Sequence, residues 1–208
     1  MPEEKITKVK LLTNNLSEYF SLSYNRKNLS LAVALLESLN VKLKPSLFDK
    51  LRSTPGRFNL IKNGEQLIVI DFAHTPDALI NIGNELTSTY KNKKIITVMG
   101  CGGDRDPLKR PLMASAVEKF SDFTYITSDN PRFEDPYSII KDIEKGMINT
   151  NFESIVDRSC AVQKAIRNHS NSIILITGKG HENYIDQNGT KTYYSDEEEV
   201  KKVLNDLL

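Results

Sequence analysis

Three short segments of the 208-residue chain concentrate side chains able to grip a charged ligand. They are Gly100-Cys101-Gly102-Gly103-Asp104-Arg105, Ser128-Asp129-Asn130-Pro131-Arg132 and Gly178-Lys179-Gly180-His181-Glu182. Each follows an apolar, β-prone run: Ile95 to Met99, Phe123 to Thr127 and Ile173 to Thr177. Loops that leave the carboxyl ends of parallel strands share one sheet edge, and ligands bind there. The pattern therefore predicts that Arg105, Asp129, Arg132 and Glu182 meet at one site. Two cations and two anions suit a small ligand that carries both amines and carboxylates. Within the middle segment, the Pro131 ring fixes the backbone beside Arg132, which favours a bidentate hold on a carboxylate. Taken alone, Asn130-Pro131 reads as a simple turn.

Other segments carry weaker signals. Asp71-Phe72-Ala73-His74-Thr75-Pro76-Asp77 sets an acid and an imidazole at a strand end, just before a helix start. Such a place favours a phosphate or a ribose hydroxyl, although a single histidine there more often has a structural hydrogen-bonding role. The glycines after Ile95–Met99 fail as a dinucleotide fingerprint, because Arg105 stands where the third glycine is needed. Gly178-Lys179 is followed by Gly180 rather than Ser or Thr, so no P-loop is present. His181 and Glu182 are adjacent and point apart, with no third ligand near, so no metal is expected to be held by the protein.

The elements that position these loops follow from apolar patterning. Gln66–Phe72, Lys94–Gly100, Phe123–Ser128 and Ser172–Gly178 are nearly unbroken apolar runs, as strands covered on both faces are. Between them come helix starts: Thr75 with Pro76, Pro111, Asp135 with Pro136, Asp157, and a capping box at Ser195 to Glu198. Ala78, Ile82 and Leu86 repeat at four-residue spacing, and Ile139, Ile143 and Met147 share a face. Strands alternating with helices predict an α/β, Rossmann-like domain, a mostly parallel sheet with helices on both faces, over residues 58–208. The first 57 residues read differently, as a helix over Asn28–Leu39 and a short one over Lys44–Arg52. Leu31, Leu35 and Leu39 fall on one side of the first. Thr54-Pro55-Gly56-Arg57 breaks periodicity and marks the junction. Two helices make a poor independent core, so this part is expected to be a remnant of a second, larger domain.

Bulk composition narrows the classes. Net charge is +1 from 28 basic and 27 acidic residues, which gives no field favouring nucleic acid or membrane. The two cysteines, Cys101 and Cys160, lie far apart without metal-ligand spacing, as in a reduced, cytoplasmic protein. Met1–Lys10 lacks the apolar core of a signal peptide, and no segment approaches a spanning length.

Taken together and in order, Thr54 to Arg57, Asp71 to Leu79, Met99 to Met113, Thr127 to Asp135, Asp157-Arg158 and Thr177 to Glu182 closely resemble the Mur ligases. Within that family the match is to the members that add diaminopimelate as the third amino acid of the peptidoglycan stem. The resemblance extends from about Tyr24 to Asp196, and the Gly-Cys-Gly-Gly-Asp-Arg-Asp and Asp-Asn-Pro-Arg strings are its most specific parts. It implies a three-domain enzyme of which this chain is the last domain plus the end of the central ATPase domain. By resemblance, Arg105, Asp129, Asn130, Pro131, Arg132, Gly178 and Glu182 match the positions that hold meso-diaminopimelate. Asn25 and Asn28 match a pair near the adenine of ATP, and Arg57, Asp71 and His74 match positions that close over ATP. Phe72 replaces the usual tyrosine of that string. ATP and Mg²⁺ would be bound mainly by an amino-terminal P-loop region that these residues lack, along with a domain for the UDP-muramoyl dipeptide. In the family mechanism the D-glutamate carboxylate is phosphorylated and the diaminopimelate amine attacks the acyl phosphate, so no residue here is expected to be catalytic.

Two alternatives stand beside this. One is a lysine-adding ligase of the same family; the other is a binding module without catalysis. Chemistry bears on the first. The far end of diaminopimelate is a zwitterion, whereas lysine ends in an ammonium alone. Arg132 and Arg105 are therefore assigned to a carboxylate and Glu182 to an ammonium.

Overall fold

The computed structural model describes residues 22–52 and 54–207, so the expectation for Met1–Lys10 lies outside the described residues. The chain divides into two compact units, one ending at Thr54 and the other spanning Pro55–Leu208. The division falls within the Thr54–Arg57 segment, where periodicity breaks.

The first unit holds helix α1 (Ser23–Ser38) and a 3-10 helix at Pro45–Lys50. Helix α1 starts five residues before the expected Asn28, because nothing between Ser23 and Lys27 interrupts it. Val33 and Phe48 are its small core, flanked by Leu29, Leu43 and Leu51. The side of α1 that packs against Phe48 is the one through Leu29 and Val33, not the expected stripe. Leu31, Leu35 and Leu39 do share a side, but it faces solvent, with exposures of 55%, 63% and 65%.

The second unit is built on a six-stranded sheet in the order β1-β2-β6-β3-β4-β5. Its strands are β1 (Asn59–Asn63), β2 (Gln66–Asp71), β3 (Lys94–Cys101), β4 (Phe123–Ser128), β5 (Phe152–Ile155) and β6 (Ser172–Thr177). Only β1 is antiparallel to its neighbour; β2, β6, β3, β4 and β5 pair in parallel. Five helices follow the strands: α2 (Pro76–Thr89), α3 (Lys109–Glu118), α4 (Pro136–Glu144), α5 (Arg158–Asn168) and α6 (Asp196–Asn205). Ile68, Ile70, Ile96, Val98, Ile174 and Ile176 pack against Ala161, Val162 and Ala165 of α5 and Val200 and Val203 of α6. Successive strand residues point to opposite faces. Their neighbours Leu67, Val69, Ile95, Met99, Ile173 and Leu175 are buried too, so both faces are covered. The expected Rossmann-like α/β architecture is therefore present.

Local chemistry starts the helices. Thr75 accepts from the Ala78 N–H, Asp135 from Tyr137 and Ser138, Asp157 from Cys160, and Ser195 from Glu198. Helix α3 corrects one expectation, since it begins at Lys109, two residues before the expected opening at Pro111. Pro111 is its third residue, within the first turn, where a backbone N–H would lack an intrahelical partner anyway. Strands β1 and β5 and a hairpin, β7 (Tyr184–Gln187) with β8 (Thr190–Tyr193), were not anticipated.

Candidate amino-acid-binding site

The carboxyl ends of β2, β6, β3 and β4 bring the three predicted loops to one cleft of about 340 Å³. Arg105, Asp129, Asn130, Arg132, Gly178 and Glu182 line it, and so does His74. Pro131 is buried behind the lining. Arg57 and Asp71 lie beside the cleft rather than in its wall. Asn25 and Asn28 belong to the first unit, where Asn25 is buried and Asn28 exposed.

The loops after β3 and β4 are zipped together by main-chain contacts. The Gly103 N–H donates to the Asn130 carbonyl at 2.9 Å, and the Asp104 N–H to the Glu134 carboxylate. Gly103 is required by this approach: a Cβ there would sit 1.9 Å from the Pro131 carbonyl oxygen. Beneath them, Arg110 of α3 donates from Nη2 to both Glu134 oxygens and from Nη1 to Asp142, at 2.8 to 2.9 Å. Hydrogen bonding from Arg110 holds the Glu134 carboxyl below the usual carboxylate range. Lys145 and Arg110 do the same for Asp142. This ion cluster ties α3, α4 and the Arg132 loop into one support.

Arg132 itself has a left-handed backbone, φ +52°. The ring of Pro131 does not produce that conformation. The β7–β8 hairpin does: the Arg132 N–H donates to the Asp186 carbonyl at 2.9 Å, and the Asn188 N–H donates to the Arg132 carbonyl at 2.7 Å. Its guanidinium is anchored through Nη1 to the Gly103 carbonyl at 2.7 Å. Among the described residues no carboxylate pairs with Arg132 or Arg105. The remaining guanidinium N–H groups of Arg132, and the exposed Arg105, are thus available to an anionic group in the cleft.

The anionic side is organised by a residue the sequence reading passed over. Lys179 is fully buried, and its ammonium donates to the Tyr184 carbonyl at 2.7 Å and to Asn130 Oδ1 at 3.0 Å. It lies 3.1 Å from Asp129 Oδ1 and 3.8 Å from Glu182 Oε2. Asn130 completes the group, donating from Nδ2 to Glu182 Oε2 at 2.8 Å while its Oδ1 also accepts from the Asp186 N–H. Gly178, at φ +106°, makes room for it, because a Cβ there would approach Asp129 Oδ2 to 2.6 Å. The only sequence signal for Lys179 was its place between Asp129-Asn130 and Glu182 in the three-loop pattern; its burial is a tertiary fact. Cys101 also faces the cleft, and burial first, then Asp129, pushes its thiol up to about 12, so it is no nucleophile.

At the other end, Arg57 stacks on Phe72 with 4.9 Å from guanidinium to ring centroid, and the rings of His74 and His181 pack beside it. The Asp71 carboxylate accepts from the Phe58 N–H at 2.8 Å and the Ala73 N–H at 2.7 Å. Burial raises its pKa, while those two bonds, Arg57 and His74 pull it back. Among the described residues no group of three or more His, Cys, Asp or Glu could hold a metal ion. No helix among them is long and apolar enough to cross a membrane.

Residues 56–180 match the family model described as "Mur ligase, glutamate ligase domain". The chain is 40% identical over 193 residues to a UDP-N-acetylmuramoyl-L-alanyl-D-glutamate–2,6-diaminopimelate ligase of Prochlorococcus marinus (strain NATL1A), covering 88% of this chain and 38% of that protein. It is 40% identical over 192 residues to the enzyme of the same description from Fusobacterium nucleatum, covering 88% and 39%. A solved structure of such a ligase superimposes with a TM-score of 0.71 at 37% identity, over 89% of this chain and 39% of that one. A UDP-N-acetylmuramate-alanine ligase of Thermotoga maritima shares the fold, with a TM-score of 0.61 at 18% identity over 89% and 38% of the two chains. This chain therefore spans about two fifths of the length of the curated relatives it matches. The β7–β8 hairpin lies beyond the stretch matched by the family model.

Proposed function

The chain belongs to the Mur ligase family through its glutamate ligase domain, and on that footing we propose that it is the amino-acid-binding portion of an ATP-dependent amide ligase. The reaction is addition of meso-diaminopimelate to UDP-N-acetylmuramoyl-L-alanyl-D-glutamate, in the cytoplasm, during peptidoglycan synthesis. Residues 58–208 form the amino-acid-binding domain, and residues 1–57 are the end of a central nucleotide-binding domain. The observation that carries this reading is the mixed charge of the cleft. Arg105 and Arg132 lack carboxylate partners among the described residues, while Asp129 and Glu182 stand on the same wall. A zwitterionic amino-acid terminus satisfies both signs at once. An amino acid ending in an ammonium alone would strand a guanidinium, and a site that leaves a buried polar group unpaired discriminates strongly.

Arg132 and Arg105 hold the distal carboxylate, and Glu182 with Asp129 holds the distal ammonium. The reacting amine is then directed out of the cleft toward the activated carboxyl of the second substrate. The contribution is positional: a held amine reacts as an intramolecular partner rather than a diffusing one. The chain's donor set fits ATP only at its margin. Arg57 and His74 are exposed, and His74 precedes the N-terminus of α2, where N–H groups favour phosphate oxygens. Asp71 holds the loop that carries His74. ATP supplies the activation of the carboxyl, and Mg²⁺ would be held by residues outside this chain.

Calorimetric titration of the 208-residue chain with meso-diaminopimelate and L-lysine tests the reading. Saturable binding of the first, with the second weaker by about a hundredfold, is the expected result. Equal binding of both would overturn it.

A further inference from the structure

We infer that Lys179 is a specificity-determining positioning residue: an internal cation that limits the acidic half of the cleft to one incoming ammonium. The inference deepens the proposed amino-acid site and rests on it.

The geometry leads to this directly. Asp129 and Glu182 approach one ammonium, at 3.1 and 3.8 Å, and two carboxylates that share a site raise each other's proton affinity unless a cation stands between them. Lys179 is that cation. It is 0% exposed, so it contacts no solvent; its ammonium donates to the Tyr184 carbonyl and Asn130 Oδ1 and forms an ion pair with Asp129 Oδ1. Its contact with the Tyr184 carbonyl links the acidic wall to the same hairpin that fixes the Arg132 backbone. One element thereby sets the spacing between the cationic and anionic halves of the cleft.

Charge counting supplies the specificity. Asp129, Glu182 and Lys179 together carry −1, which one ligand ammonium neutralises. A diaminopimelate zwitterion has no net charge, whereas lysine carries +1. With Lys179 present, the distal ammonium of either ligand neutralises the wall, but lysine brings no carboxylate for Arg132 and Arg105, which repel its net positive charge. Without Lys179 the acidic wall carries −2, and the more cationic ligand gains relative to the neutral one.

The test compares the wild-type 208-residue chain with Lys179→Met, titrating each with meso-diaminopimelate and L-lysine. The expected result is that the preference for diaminopimelate shrinks by about tenfold, because one unit charge has been removed at contact distance in a partly screened site. A purely structural lysine would lower both affinities by the same factor and leave their ratio unchanged, and that result would overturn the inference. Should Lys179→Met fail to fold, the wild-type chain carries the test alone. The buried ammonium of Lys179 should give a slowly exchanging ¹⁵N–¹H signal that shifts on saturation with diaminopimelate; a signal that does not move overturns the role. A wild-type chain that binds neither ligand would overturn the amino-acid site itself. Selective wild-type binding with an unchanged ratio in the variant would overturn the role of Lys179 alone.

Discussion

Replacing Arg132 with alanine should abolish the preference for diaminopimelate over lysine, with a loss of diaminopimelate affinity of about a hundredfold or more. Truncating one partner of a buried, hydrogen-bonded charge pair costs about 2–5 kcal/mol, much of it from the charge left unpaired. Here the stranded charge would be the distal carboxylate of the ligand. Lysine has no carboxylate there, so its affinity should change little. The backbone around residue 132 should survive the substitution, because its left-handed conformation is held by main-chain bonds to Asp186 and Asn188 rather than by the side chain. Calorimetry of Arg132→Ala with both ligands gives the ratio. A ratio that stays at the wild-type value would remove Arg132 from carboxylate binding.

The largest stability effect should come from Arg158. This residue opens α5, and its guanidinium donates from Nε and Nη2 to the two oxygens of Asp196, each at 2.8 Å, and from Nη2 to the Thr177 carbonyl. Both side chains are 0% exposed, and the Tyr194 hydroxyl donates to the same carboxylate. Exchanging such a pair for well-packed apolar residues can be neutral, but removing one member leaves a charge buried without compensation. Arg158→Met should therefore cost about 3–5 kcal/mol, a fall in Tm of about 10 °C for a domain of this size. The double variant Arg158→Met with Asp196→Leu should recover most of that. Because Thr177 immediately precedes Gly178, the single variant should also loosen the Gly178–Glu182 loop. Thermal unfolding followed by circular dichroism reads the first effect; a Tm within 2 °C or so of wild type would mean the pair is not coupled to folding.

The parts of this molecule that could be read from sequence are those where local chemistry and tertiary packing agree. The four inner strands announced themselves because both faces are covered, which leaves unbroken apolar runs such as Leu67 to Ile70 and Ile173 to Ile176. Helix starts were legible at Thr75, Asp135, Asp157 and Ser195, where the capping side chain does in the fold what its type predicts. Half-covered elements gave less. Strand β5 is short and only partly buried, and β8 is exposed throughout, so neither carries a strong apolar signature. The hairpin did have a signal in Asn188-Gly189, a turn pair between two β-prone runs. The outward stripe of Leu31, Leu35 and Leu39 shows the limit of periodicity, which identifies a face without saying what covers it.

The convergence of the three loops on one cleft was legible because it depends only on strand direction. What holds each group in place was not. In sequence Lys179 reads only as part of a failed phosphate motif, since nothing local distinguishes a buried lysine from an exposed one. Its role depends on Asp129, Asn130 and Tyr184, which come from two other segments. In sequence the stiffness of Arg132 reads as the work of its proline neighbour, while the restraint comes from a hairpin more than fifty residues later in the chain.

The measurement that tests the central claim most directly is a ¹⁵N–¹H NMR titration of the 208-residue chain with meso-diaminopimelate and, separately, L-lysine. The account predicts that diaminopimelate shifts the amides of Arg105, Arg132 and Gly178 together with the Asn130 side-chain amide, and that lysine at the same concentration leaves them in place. Shifts confined to other parts of the fold, or identical shifts with both ligands, would contradict the assignment of this cleft to a zwitterionic amino acid.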